Sequence, residues 1–149
     1  MSTAITASPI QREPELLGQT VVVLGGSAGI GLETARRARA EGAKLILTGR
    51  DPELLLRAAS ELDALSSAAF DATDPAPLER FFHDLPTTID HVMVTAGRPY
   101  YGRLLDMDFA QARQALDAHI LLVLQGKHRG EGKASRLLCT ASSIPSGRL

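Results

Sequence analysis

Only one cysteine, Cys139, occurs in the 149 residues, so neither an internal disulfide nor a multi-cysteine metal site can form. That usage fits a reducing, cytoplasmic compartment. Neither sign of charge dominates: 16 Lys and Arg stand against 17 Asp and Glu, a formal net charge of -1. A partner selected by bulk charge, nucleic acid or an anionic membrane surface, is therefore not expected. No apolar run approaches the roughly 18 residues that a spanning helix needs, and Met1–Glu15 has no apolar stretch of the secretory type. The four histidines, His83, His91, His119 and His128, lack metal-ligand spacing, so no metal site is expected. With 44% hydrophobic and 22% charged residues, the composition is that of a folded chain. The length suits one domain and allows a substantial core.

Residues 1–18, rich in Ser, Thr and Pro, read as a flexible tail ahead of a domain over 19–149. Thr20–Leu24 is a β-branched run ending in Gly-Gly, the pattern of a buried strand. Ile30, Thr34, Ala35 and Ala38 then recur at helical spacing, and Gly42 is a stop signal. Leu45–Thr48 is a second strand. Asp51-Pro52 and Asp74-Pro75 are N-cap signals with proline at the first helical position. Leu54, Leu55, Ala58, Leu62 and Leu65 follow the first of these, and Leu78, Phe81, Phe82 and Leu85 follow the second. Between them Ser67–Phe70 is a third strand. Ile89–Thr95 is the fourth, and Arg136–Ala141 is the fifth. A long helix is marked by Leu105, Phe109, Ala112, Leu116, Ile120 and Val123, with a glycine-rich basic loop over Gly126–Ala134. This alternation implies right-handed crossovers and a parallel sheet, hence an α/β fold. Such sheets bind ligands at the carboxyl ends of their strands.

The strand ends carry the chemistry. After the first strand, Gly25, Gly29 and Gly31 occur at spacings of four and two within Gly25-Gly26-Ser27-Ala28-Gly29-Ile30-Gly31. Missing side chains there admit a tight turn, the approach of a diphosphate and close helix–strand packing. The helix that follows offers free N–H groups to an anion. A ligand-free glycine turn is the plain alternative. After the second strand, Thr48-Gly49-Arg50 offers no carboxylate for a ribose 2′-hydroxyl but does offer a guanidinium for a 2′-phosphate. Arg50 could equally be a solvated surface residue, and Asp51 is a helix cap first. Asp71, beside Ala72, is either an acceptor for an adenine amino group or a turn residue. The small residues of Thr95-Ala96-Gly97 would let a cofactor lie against the backbone, or simply make a turn. Ser142 and Ser143 could hydrogen-bond a substrate carbonyl, or belong to a serine-rich turn.

Together these residues resemble the short-chain dehydrogenase/reductase family. Gly25-Gly26-Ser27-Ala28-Gly29-Ile30-Gly31 is similar to its Gly-x-x-x-Gly-x-Gly cofactor loop. Thr48-Gly49-Arg50 resembles the version in members that prefer NADP. Asp71 matches the adenine-contacting Asp, Thr95-Ala96-Gly97 resembles the Asn-Ala-Gly motif, and Ser143 falls where the catalytic Ser stands. The resemblance runs from about Gln19 to the C-terminus. It implies a Rossmann-like, doubly wound, three-layer αβα sheet of strand order 3-2-1-4-5, incomplete at its C-terminal edge. It also implies hydride transfer between NADP, rather than NAD, and a small-molecule carbonyl or alcohol. The cofactor-binding residues it implies are Gly25, Ser27, Ala28, Gly29, Ile30, Gly31, Arg50, Asp71, Ala72, Ala96 and Gly97. Members associate through their fourth and fifth helices, so the resemblance allows a homo-oligomer.

Two departures stand out. The family's Tyr-x-x-x-Lys should follow the serine by about a dozen residues, yet only six residues follow Ser143 and none is Tyr or Lys. His119 replaces the helix-four Asn, either as a core histidine or as a member of a proton relay. The expectation is therefore the N-terminal part of a longer reductase, with this chain alone inactive. A non-catalytic dinucleotide-binding protein is the alternative. A methyltransferase fits less well, since it has no 2′-phosphate to bind. Gly130-Glu131-Gly132-Lys133-Ala134-Ser135 is not a P-loop: it follows a helix, and Ala134 stands where the metal-binding hydroxyl belongs.

Overall fold

The computed structural model describes residues 15–85, 89–97, 106, 108–114 and 134–139, the last six as backbone. Its elements follow one another as β1 (Thr20–Leu24), α1 (Gly29–Ala40), β2 (Lys44–Gly49), α2 (Pro52–Glu61), β3 (Ser66–Ala69), α3 (Pro75–Asp84), β4 (Ile89–Val94) and β5 (Ala134–Cys139). The strands form one parallel sheet in the order β3-β2-β1-β4-β5. The expected α/β class and strand order are therefore present.

Strand β1 is central and buried along its whole length. Alternation sends Val21 and Val23 to one face and Val22 and Leu24 to the other. On the first face they meet Leu45 and Leu47 of β2, Ala35 and Ala38 of α1, and Leu55 and Ala58 of α2. On the second they meet Ile46, Val92, Val94, and Leu78 and Phe82 of α3. Helices thus cover both faces, which makes three layers. Each fully buried Val, Leu, Ile or Phe contributes on the order of 1.5–3 kcal/mol, so these two clusters fix where α1, α2 and α3 lie.

Helices α2 and α3 start as the sequence indicates. The Asp51 carboxylate accepts from the Glu53 and Leu54 amides at 2.9 and 3.1 Å. That of Asp74 accepts from Ala76 N at 3.1 Å. Pro52 and Pro75 stand at the first helical positions. Helix α1 has no such cap: Ala28 makes no side-chain hydrogen bond there, and the first turn holds no acidic residue. Across the surface, Arg36 of α1 donates to Glu61 of α2 at 2.7 Å. That hydrogen bond is the main cause of the lowered Glu61 pKa. The associated stability is present at neutral pH and fades as acid protonates Glu61. Being exposed, the pair contributes little.

Several details differ from the sequence reading. Leu54, Leu65 and Ile30, expected on buried stripes, are exposed. In the first two helices the buried faces are narrower, because small residues (Gly31, Ala35, Ala38, Ala58) let the helices sit close to the sheet. Strand β3 begins one residue earlier and ends one earlier than Ser67–Phe70. Its register with β2 selects Ser66–Ala69 despite their weak strand propensity. Strand β5 begins at Ala134, which the reading placed in the preceding loop. Phe109, assigned to an apolar stripe, is 80% exposed at the start of helical residues 109–114. Residues 15–18, assigned to the tail, are fastened to the turn after α1 through Leu16 N to Glu41 O (3.2 Å) and Gly18 N to Gly42 O (3.1 Å). No helix among the described residues is long and apolar enough to cross a membrane.

Phe82 is 2% exposed and lies between α3 and the sheet, whereas its neighbour Phe81 is only partly buried. Phe82→Ala is expected to lower the unfolding free energy by about 3–5 kcal/mol, and Phe81→Ala by clearly less, as read from urea titrations of the two variants.

Candidate functional site

The carboxyl ends of β2, β1 and β4 lie side by side, and the turn after β1 is held by both neighbours. On the β2 side, the Gly25 and Gly26 amides donate to Thr48 O at 3.1 and 2.8 Å. On the β4 side, the Thr95 and Ala96 amides donate to Leu24 O at 2.9 and 2.8 Å. The Thr95 hydroxyl lies 3.0 Å from Leu24 O and 3.1 Å from Gly25 O.

Two of the glycines are there for different reasons. A Cβ on Gly31 would collide with the Gly25 carbonyl oxygen and come within 2.5 Å of Thr95 Oγ1. The first turn of α1 therefore packs directly on the end of β1. Gly29 instead has φ +55, and the space around its missing side chain is open. Ala28, Gly29 and Ile30 are exposed at this rim.

The amides at the start of α1 have no intrahelical acceptors, since an α-helix leaves its first four N–H groups unpaired. The aligned peptide dipoles add roughly half a positive charge at that end. Asp51 and Asp74 neutralise the same feature in α2 and α3, whereas α1 leaves it exposed. An anion with several oxygens, a diphosphate above all, fits such a rim.

The neighbouring strand ends extend the site. Ser27 leans on Gly49: a Cβ there would lie 2.6 Å from Ser27 Oγ. Arg50 is exposed next to it, and among the described residues no acidic side chain pairs with it. Asp51, the adjacent acid, is committed to the α2 cap. Asp71 organises the turn after β3, accepting from the amide and hydroxyl of Thr73 at 2.9 and 2.7 Å. Ala72 is 4% exposed and packs in the α3-side core. Ala96 and Gly97 are partly buried beyond β4, with Ala96 packed on that same core.

The structure thus brings Gly25, Ser27, Ala28, Gly29, Ile30 and Gly31 together with Arg50, Ala96 and Gly97 around one edge. Asp71 and Ala72 follow at the end of the next strand. Ser143 and His119, the residues tied to catalysis, lie outside the described residues. Sequence reasoning passed over the Thr48 carbonyl and the Thr95 hydroxyl as parts of this edge. A backbone carbonyl leaves no signature in sequence, and Thr95 was read only as a small residue in a motif that resembles Asn-Ala-Gly.

A parallel doubly wound sheet whose first strand ends in a glycine turn under an uncapped helix is the architecture of a dinucleotide-binding protein. Residues 19–126 match the family model described as short chain dehydrogenase, and the chain belongs to that family. It is 29% identical over 152 residues to 2-keto-3-deoxy-L-fuconate dehydrogenase of Xanthomonas campestris, covering 97% of this chain and 49% of that protein. It is 28% identical over 123 residues to dehydrogenase/reductase SDR family member 7B of Danio rerio, covering 74% of this chain and 40% of that one. The chain spans at most about half the length of these relatives. Among solved structures, a short chain dehydrogenase from Burkholderia cenocepacia in complex with NADP superposes with a TM-score of 0.74 at 23% identity, covering 85% of this chain and 56% of that one. BdcA in complex with NADPH gives 0.71 at 23%, covering 83% and 52%. At that identity the likeness speaks for the fold.

The two glycines separate steric from conformational demand. Gly31→Ala is expected to be the more damaging substitution, because the atom it meets is backbone and α1 must move. Gly29→Ala is expected to cost only the left-handed backbone, about 1–2 kcal/mol. Denaturation midpoints of the two variants against the parent chain check the order.

Proposed function

We propose that this chain carries the NADP(H)-binding platform of a short-chain reductase acting on a small carbonyl or alcohol substrate. The observation that carries the reading is the uncapped start of α1, held over the end of β1 by Gly31 and open at Gly29. In this reading, the amides of Ser27 to Gly31 and the helix terminus hold the diphosphate. The Arg50 guanidinium and the adjacent Ser27 hydroxyl take the 2′-phosphate, for which a planar fork of donors suits bidentate contact. The absence of a carboxylate at Gly49, and the commitment of Asp51 to its helix, leave no acid to favour an unphosphorylated ribose. Asp71 accepts from the adenine amino group while keeping its turn, and the Ala72 backbone lies beside it. Ala96 and Gly97 give the dinucleotide a flat floor.

The nicotinamide ring, when bound, donates or accepts the hydride, and the chain's own task is to position it. Ser143 orients the substrate oxygen, and His119 is the candidate relay group. The six residues after Ser143 contain neither Tyr nor Lys, so no residue of this chain is assigned the acid–base role. The NADP and NADPH complexes among the structural neighbours support the choice of cofactor class.

Titration followed by NADPH fluorescence tests the reading. The 149-residue chain is expected to bind NADPH more tightly than NADH. Arg50→Ala should weaken NADPH at least roughly tenfold, in line with the loss of charge-assisted hydrogen bonds, and leave NADH nearly unchanged. Tighter NADH binding by the parent chain would overturn the assignment.

A further inference from the structure

The hydroxyl of Thr95 lies within hydrogen-bonding distance of two carbonyls, but only one of them has room for it. Leu24 O already accepts the Thr95 and Ala96 amides. A carbonyl oxygen has two lone pairs, so the hydroxyl proton goes to Gly25 O, 3.1 Å away. The other side of the same peptide is also held, because Gly26 N donates to Thr48 O at 2.8 Å. In a trans peptide the C=O and N–H point in opposite directions. This single peptide plane is therefore anchored at one end to the strand on its left, β2, and at the other to the segment after β4. The Gly25 oxygen, in turn, is the atom against which Gly31 rests. Any rotation of that peptide pushes on the first turn of α1.

We propose that Thr95 is a positioning residue: its hydroxyl locks the Gly25–Gly26 peptide and thereby aims the free amides at the start of α1 toward the bound diphosphate. The inference rests on the dinucleotide reading of the site but adds a residue to which that reading gives no ligand contact. Valine at this position has the same shape and no donor. The Gly25 carbonyl then loses its partner, and the plane is free to turn. Because the diphosphate is common to both nicotinamide dinucleotides, the effect is blind to the 2′-phosphate, which distinguishes Thr95 from Arg50.

The test compares the 149-residue chain with Thr95→Val, Thr95→Ala and Thr95→Ser, titrated with NADPH and with NADH at a temperature where every variant is fully folded. Thr95→Val is expected to weaken both dinucleotides by a similar factor, roughly tenfold for one lost hydrogen bond near the site. Thr95→Ala should do the same, which covers the case in which the valine variant does not fold. Thr95→Ser, which keeps the hydroxyl, should return affinity to within about twofold of the parent. Phe82→Leu, in the α3-side core, serves as the stability control: its unfolding midpoint should fall while both affinities hold. Unchanged affinity in the hydroxyl-free variants overturns the proposal. So does loss in Thr95→Ser equal to that in Thr95→Val, or loss for NADPH alone. A parent chain that binds neither dinucleotide overturns the underlying reading as well.

Discussion

The contact between Gly31 and the carbonyl oxygen of Gly25 is the constraint on which this end of the molecule depends. It sets the distance between the first turn of α1 and the end of β1, and it leaves no room for a side chain. Because β1 is the central strand, with β2 on one side and β4 on the other, that one close approach brings three strand ends under a single helix terminus. The apolar clusters on the two faces make the sheet rigid enough to hold the arrangement. Without the close contact, the same core would support α1 at a greater height above the end of β1.

The contrast among the three helices gives this constraint its chemical meaning. Helices α2 and α3 begin with an aspartate that satisfies the terminal amides, a feature typically worth about 1 kcal/mol. Helix α1 begins with Ala28 and forgoes that contribution. Its last turn carries Arg37 and Arg39, where cations suit the negative end of the dipole. The unfavourable choice is thus confined to the end that faces the edge of the sheet. A fold that leaves one helix terminus unsatisfied while capping the others keeps it available for an anion.

Much of the architecture was legible because the local signals agree. The β-branched run Thr20–Leu24, proline after Asp51 and Asp74, and the glycine spacing each point to the element found there. Boundaries were less legible where the residues are small. Ser66–Ala69 is a strand because β2 offers a register, and no propensity rule would choose it. Helix faces were overestimated for the same reason: Leu54 and Ile30 look like core in a periodicity, yet small neighbours bring the helix so close that these longer side chains fall outside, while Leu65 lies beyond the end of α2 at Glu61. At the site, glycines and Arg50 were readable as residue types. The carbonyl of Thr48 and the hydroxyl of Thr95 were not, since each acts on backbone whose direction only the folded chain defines.

The glycine triplet also has unequal freedom to drift. At Gly31 the obstacle is a neighbouring atom, and every other amino acid carries the Cβ that strikes it. At Gly29 the obstacle is only a torsion angle, which asparagine adopts more readily than most residues. A mutational path through position 29 therefore stays open, and it would plant an amide side chain on the exposed rim at the start of α1. Drift at the second glycine is thus limited by a torsion angle alone, whereas the third is frozen by geometry.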